Sequence, residues 1–156
     1  MPPWLFPATI ALCLSQAVTG LGCTVPDDAQ NARANVLRQI NAERRSAGRP
    51  ALAVNDRLQT TAQRHACDMA AAGEISHIGR DGSDLAGRLR RAGYRFRAAN
   101  ENVAALGSSN RVVALWMASS GHRANILQGT VREIGVGVAV GANRRVYWAT
   151  VSGAAR

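Results

Sequence analysis

The side chains able to do chemistry are few in this 156-residue sequence, so the search for a site starts with them. There are three histidines, His65, His77 and His122. His77 lies in Ile75-Ser76-His77, just after an amphipathic run that ends at Gly73. His122 lies in Ser119-Ser120-Gly121-His122-Arg123-Ala124-Asn125-Ile126-Leu127, where Gly121 reads as the break of a helix. Glu101 stands between Asn100 and Asn102, ahead of the apolar Val103-Ala104-Ala105-Leu106. Each of these three stretches is expected to place its side chain at the end of a regular element, with His77, Glu101 and His122 meeting in one cleft. Two imidazoles and a carboxylate would suit Zn²⁺ or another divalent cation, which in open sites takes three protein ligands and a water. They would equally serve as a metal-free acid–base pair. His65 sits beside the apolar stripe of its helix and reads as a hydrogen-bonded core residue outside the site. No phosphate-binding Gly-rich loop, nucleophile elbow, paired-cysteine zinc motif or helical His-Glu-x-x-His occurs. Ser76 and Ser119 neighbour the histidines in sequence, but no Ser-His-acid order is evident.

The elements that must position these groups follow from periodicity and caps. Residues 29–47 form a helix with Val36, Leu37 and Ile40 on one face and Arg33 and Arg44 flanking it, closed by Gly48 and Pro50. After an extended Ala51–Val54, Asn55 or Asp56 caps a second helix that reaches Ala72 and ends at Gly73. Its stripe is Leu58, Ala62, His65 or Ala66, and Met69. Asp81-Gly82-Ser83-Asp84 turns into a third helix with Leu85, Leu89 and Ala92, closed by Gly93. Tyr94 and Phe96 alternate with arginines, as in a short strand or extended link. A fourth helix starts at Ser108 or Ser109 and carries Val112, Val113, Leu115 and Trp116. Ile134, Val136, Val138 and Val140 alternate with small residues, a strand pattern, and Val146 to Ser152 returns as its partner. Gly135 and Gly137 leave one sheet face nearly bare for close approach of a helix or another chain segment. Tyr147 and Trp148 point to opposite faces. Helices first and a hairpin last give an α+β domain with helices on both sides of a sheet.

Composition bounds the rest. The length suits one domain with a true core. The net charge is +9, and all nineteen basic residues are arginine. They are spread along the chain without a cluster longer than two, apart from the looser Arg88-Arg90-Arg91-Arg95-Arg97 group, and without a recognised binding motif, which speaks against nucleic acid. Trp4 to Leu14 is an apolar run of signal-peptide length, too short to span a membrane. Residues 1–22 are therefore read as a signal peptide cleaved near 20–23, with 23–32 as the mature N-terminal segment. Cys13 leaves with the signal, and Cys23 and Cys67 remain. In an oxidising compartment they would pair. The alternative is lipidation of Cys23, because Leu21-Gly22-Cys23 partly resembles a lipobox.

Several stretches together resemble the CAP superfamily (cysteine-rich secretory proteins, antigen 5, pathogenesis-related 1), in its short bacterial branch. They are Ile40-Asn41-Ala42-Glu43-Arg44, Ser76-His77, Glu101-Asn102-Val103-Ala104 and Trp116 through Leu127, followed by Glu133-Ile134-Gly135-Val136-Gly137 and Tyr147-Trp148. The likeness covers about residues 33 to 153. It implies a three-layer α-β-α sandwich with a central antiparallel sheet, and a cleft lined by two His and two Glu. His77, Glu101 and His122 match three of these. The fourth, a glutamate, falls at Ser119, which weakens the hold on any metal. Asn102 and Asn125 are expected to tie loops to backbone groups, Glu43 to pair with a nearby arginine, and Trp116 to lie in the core. The resemblance implies an exported binding module, periplasmic or extracellular, for a lipid, glycan or protein ligand. The alternative is a metal- or His-assisted hydrolase acting on peptide or cell-envelope polymer.

Overall fold

The computed structural model describes residues 23–156, and the proposed signal peptide lies outside them. The elements run α1 (Ala29–Ser46), β1 (Ala53–Val54), α2 (Asp56–Ala72), α3 (Leu85–Arg91), β2 (Phe96–Ala105), α4 (Ser109–Ala118), α5 (Ser120–Ile126), β3 (Glu133–Val140) and β4 (Val146–Ala155). The sheet order is β1-β3-β4-β2. β2, β4 and β3 are antiparallel neighbours, and β1 adds two residues parallel to β3, so the sheet is mixed rather than wholly antiparallel.

Three layers follow from the alternation along β3 and β4. Ile134, Val136, Val138 and Trp148 face one way and pack with Val36 and Ile40 of α1, Val112 and Trp116 of α4, and Ile126 of α5. Tyr147, Ala149 and Val151 face the other way, toward Leu58, Ala62, Ala66 and Met69 of α2 and Leu89 of α3. Both aromatic residues of the Tyr147-Trp148 pair are thus buried, one in each layer. On the α2 face a Cβ built on Gly135 or Gly137 would come within 2.2 Å of the backbone of Leu58 or Ala62. Only glycine lets helix and strand approach this closely.

The helix ends behave as their residues dictate. The Asn55 side chain accepts from the N–H groups of Arg57 and Leu58, and Gly73 closes α2 with φ +76°. Asp84 and Ser108 cap α3 and α4 in the same way. Two expectations are corrected. The α4–α5 break falls at Ser119, whose extended backbone (φ −98°, ψ 126°) ends one helix and opens the next. Gly121 lies inside α5, so His122 is in a helical first turn and not after a break. Asn100-Glu101-Asn102 lies within the ten-residue β2, not at an element end; ladder pairing with β4 outweighs the local alanine- and asparagine-rich composition.

Two arginine and glutamine devices were not legible as such. Arg44, expected to flank α1, is fully buried. Its guanidinium donates to the carbonyls of Pro50 (2.8 Å), Ile126 (2.7 Å), Gln128 (3.0 Å) and Val131 (3.4 Å), clamping the end of α5. Beside it Asn41 exchanges two hydrogen bonds with the backbone of Leu52. Glu43 is exposed and has no ion-pair partner among the described residues. Beyond the two residues paired with β1, the outer edge of β3 is met by side-chain amides. Gln59 exchanges two bonds with the backbone of Val136, and Gln63 two with Val138. One turn further along α2, Cys67 is disulfide-bonded to Cys23, and the adjacent Thr24 bridges Val140.

Candidate functional site

β2 is the free edge strand, and the candidate site is built around its middle. The Glu101 side chain shares the α2 face with Val103 and is 3% exposed. Asn102 points to the opposite face, where its amide donates to the carbonyl of His122 (3.0 Å). Asn125 completes the tie, donating to the Glu101 carbonyl (3.1 Å) and to Asn102 Oδ1 (2.8 Å). The two asparagines therefore do the expected tying work, fixing the first turn of α5 against β2. His77 reaches the same strand from the loop after α2, and His122 approaches from the layer opposite.

Glu101 has three neighbours. His77 Nδ1 lies 2.9 Å from Oε1, Arg88 Nη2 donates to Oε2 at 2.6 Å, and His65 Nε2 stands 3.7 Å from Oε1. Arg88 is 6% exposed and also donates to the carbonyls of His77 (3.1 Å) and Ser83 (2.9 Å). It thus neutralises the buried carboxylate and fixes the loop that carries His77. His65 is fully buried, with Nε2 2.7 Å from the Ser76 carbonyl, so Nε2 carries the proton. Burial holds its pKa below the ordinary value, against the pull of Glu101.

With Nδ1–H donated to a carboxylate, a neutral His77 presents Nε2 as a lone pair on a side chain that is 60% exposed. His122 is half-buried, and its Nδ1 is enclosed without a hydrogen-bond partner. Burial first, and then the nearness of His77, holds its pKa below the ordinary value. His122 is therefore held toward its neutral form. Ile75 (48% exposed) and Ile78 (53% exposed) flank His77 and give the rim an apolar character.

Glu101 is not free to ligate a divalent cation. One oxygen of Glu101 is engaged by a guanidinium and the other by His77, so an arriving ion would meet a fixed positive charge. Among the described residues no three His, Cys, Asp or Glu side chains form a metal-ligand group. The two serines beside the histidines differ in their engagement. The Ser76 hydroxyl accepts from the Ile78 N–H and donates to the Ile78 carbonyl, which occupies it within its own turn. Ser119 makes no cap bond at the α4–α5 joint.

Of the three residues singled out from the sequence, the structure brings His77 against Glu101, and sequence reasoning missed Arg88 and His65 as further partners of Glu101. The signal for Arg88 was present. Leu85, Arg88, Leu89 and Ala92 follow i, i+3, i+4, i+7, which puts the arginine on the buried face of α3. His65 was read correctly as hydrogen-bonded and buried, but its second neighbour, Glu101, comes from a strand 36 residues later and leaves no local trace.

Comparison with known proteins agrees with this architecture. The cysteine-rich secretory protein (CAP) family model matches residues 37–152. The uncharacterized protein YkwD of Bacillus subtilis (strain 168) is 28% identical over 120 residues, which are 76% of this chain and 47% of YkwD; the chain spans about half the length of that relative. An outer surface protein from Borrelia burgdorferi superposes with a TM-score of 0.77 at 19% identity, over 84% of this chain and 97% of that one. An extracellular SCP-domain protein from Bacillus anthracis gives 0.66 at 27% identity, over 81% and 44%. The two-sided helical packing, the cleft on the β2 edge and the matched span together place this chain in the CAP, or cysteine-rich secretory protein, family.

Proposed function

We propose that the chain is an exported binding domain that takes a lipid, glycan or protein ligand in the cleft at the β2 edge. The observation that carries this reading is the full engagement of Glu101. Its charge is matched by Arg88 and its remaining oxygen by His77, so the carboxylate acts as a scaffold for the imidazoles. What faces outward is the imidazole edge of His77 between two exposed isoleucines, a surface suited to ligands that combine polar hydrogen-bonding groups with apolar faces. The test is titration of soluble cell-envelope glycans, short-chain lipids and peptides into isotopically labelled protein, following the ring C–H signals of His77 and His122. One ligand class should shift both rings saturably, and His77→Ala should weaken it about tenfold. A ligand bound equally by wild type and His77→Ala, or no response to any class, would refute the cleft as the binding site.

A second reading rests on the His77–Glu101 pair, whose geometry is that of an imidazole oriented by a carboxylate and so able to take a proton from water. It is a metal-free hydrolase of peptide or cell-envelope polymer. Mass spectrometry of such polymers after incubation tests it, with cleavage expected to vanish in His77→Ala and in Glu101→Gln. For location, the disulfide and the extracellular relative support a periplasmic or extracellular site. The disulfide occupies the Cys23 sulfur that a lipid anchor would need. Among the described residues no helix is long and apolar enough to cross a membrane.

A further inference from the structure

A cavity of about 560 Å³ opens between the outer face of α2, α3 and the loop joining them. Its volume is in the range of small-molecule sites, and its lining is unusual in chemistry. Five arginines (Arg57, Arg64, Arg80, Arg88 and Arg91) face three aspartates (Asp56, Asp68 and Asp81). The charges are not matched one to one. Asp81 accepts from the Ser83 hydroxyl and backbone N–H and is paired with Arg91 at 2.5 Å, and these bonds keep its pKa well below the carboxylate range. Arg88 is paired with Glu101 on its far side. That leaves Arg57, Arg64 and Arg80 against Asp56 and Asp68, with no ion pair to either aspartate among the described residues. Arg57 uses one Nη1–H on the Gly93 carbonyl, and its remaining donors are available. The Thr60 side chain also lines the cavity and is exposed. At the back wall, Arg88 is 6% exposed and keeps its Nε–H without a partner.

We propose that this cavity is an oxyanion site that takes the phosphate group of a phosphoester ligand, independently of what the cleft binds. Three properties point to it. The lining has a surplus of planar guanidinium donors, whose fork geometry matches phosphate oxygens. The surplus lies in a concave site, where field lines from a chain of net charge +9 are focused. A hydroxyl donor, Thr60, stands among the arginines. Arg64 and Arg80 are exposed and, among the described residues, unpaired, and they are the recognition groups; Arg88 closes the floor.

The probes are inorganic phosphate and, separately, vesicles of phosphatidylglycerol compared with phosphatidylcholine. Binding is read by Arg Nε–H signals in phosphate titrations and by co-sedimentation with vesicles. The variants are Arg64→Ala/Arg80→Ala and a charge-matched control on the far layer, Arg45→Ala/Arg111→Ala. All four side chains are exposed, so melting temperatures should stay at the wild-type value. The expected result is saturable binding of phosphate, with shifts at Arg57, Arg64 and Arg80, weakened about tenfold or more in the cavity variant and unchanged in the control. Response to phosphate makes the ligand a free phosphoester. Response only to phosphatidylglycerol vesicles, lost in the cavity variant alone, makes it a lipid headgroup. Equal behaviour of the cavity variant and the control toward both probes would overturn the proposal, since it would leave only the general attraction of a basic surface.

Discussion

Replacing Arg88 by methionine removes the cation beside Glu101 while keeping most of the buried side-chain volume. The wild-type contacts set the size of the effect. Arg88 gives a 2.6 Å charged hydrogen bond to a carboxylate that is 3% exposed, and it holds the carbonyls of His77 and Ser83. Removing one member of a buried ion pair costs about 3–5 kcal/mol, because the other charge stays buried without its partner. For a domain of this size that is a fall in melting temperature of roughly 10–20 °C. Thermal and urea unfolding of Arg88→Met, Glu101→Gln and the double variant form a thermodynamic cycle. The double variant should be less destabilised than the sum of the singles, by about 1–3 kcal/mol. Hydrogen exchange should quicken in residues 75–83, since Arg88 ties that loop down. An Arg88→Met protein within about 1 kcal/mol of wild type would refute the view that Arg88 holds Glu101 charged, and with it the assignment of the carboxylate as a scaffold.

Three further outcomes are expected. Reducing the Cys23–Cys67 bond, which spans 44 residues, should cost about 4 kcal/mol by loop entropy, read as a drop in melting temperature with reductant. His65 and His122 both have pKa values depressed below 6.5 in the folded protein, so the unfolded chain binds protons first as pH falls. Stability should therefore be constant above about pH 7 and fall below 6.5, and His65→Gln should flatten the profile of melting temperature against pH. Arg44→Met leaves the carbonyls of Ile126 and Gln128 without their donor and should cost at least about 3 kcal/mol, with exchange broadening of the α5 signals that include His122.

Much of the architecture could be read from caps and periods. Asn55, Gly73, Asp84 and Ser108 mark helix ends by local chemistry, and the Gly135/Gly137 alternation foretold a close approach to β3, which α2 makes. What resisted reading was burial of charge. Arg44 continues the Val36–Ile40 spacing and Arg88 continues that of Leu85 and Leu89, yet an arginine on an apolar stripe looks like a flanking surface residue until its partners are known. Those partners are carbonyls at helix ends and a carboxylate on a strand, brought together only by the tertiary fold. The same holds for the site. His77, Glu101 and His122 were identifiable by type and by resemblance. Spacing puts Arg88 on the buried face of α3, but it does not say that Arg88 and His65 meet Glu101, or that Asn102 meets the His122 carbonyl. The strand nature of residues 96–105 was hidden because its pairing with β4 is remote in sequence.

The amides of Gln59 and Gln63, together with the Cys23–Cys67 link and the Thr24 bridge, have a bearing on how the border of the sheet is kept from pairing with another chain. The strand they cover, Ile134-Gly135-Val136-Gly137-Val138-Ala139-Val140, has no charge and no proline, the composition that favours strand stacking between chains. Natural sheets blunt such a border with lysine, proline or a bulge. Here the neighbouring helix lends its own side chains as a surrogate strand, occupying the N–H and C=O groups that a second molecule would use. The last position, Val140, is guarded only through the segment that the disulfide tethers. A chain lacking that bond would have an open docking border at one end of this stretch, so reduction is expected to promote aggregation, read by light scattering, as well as to lower stability.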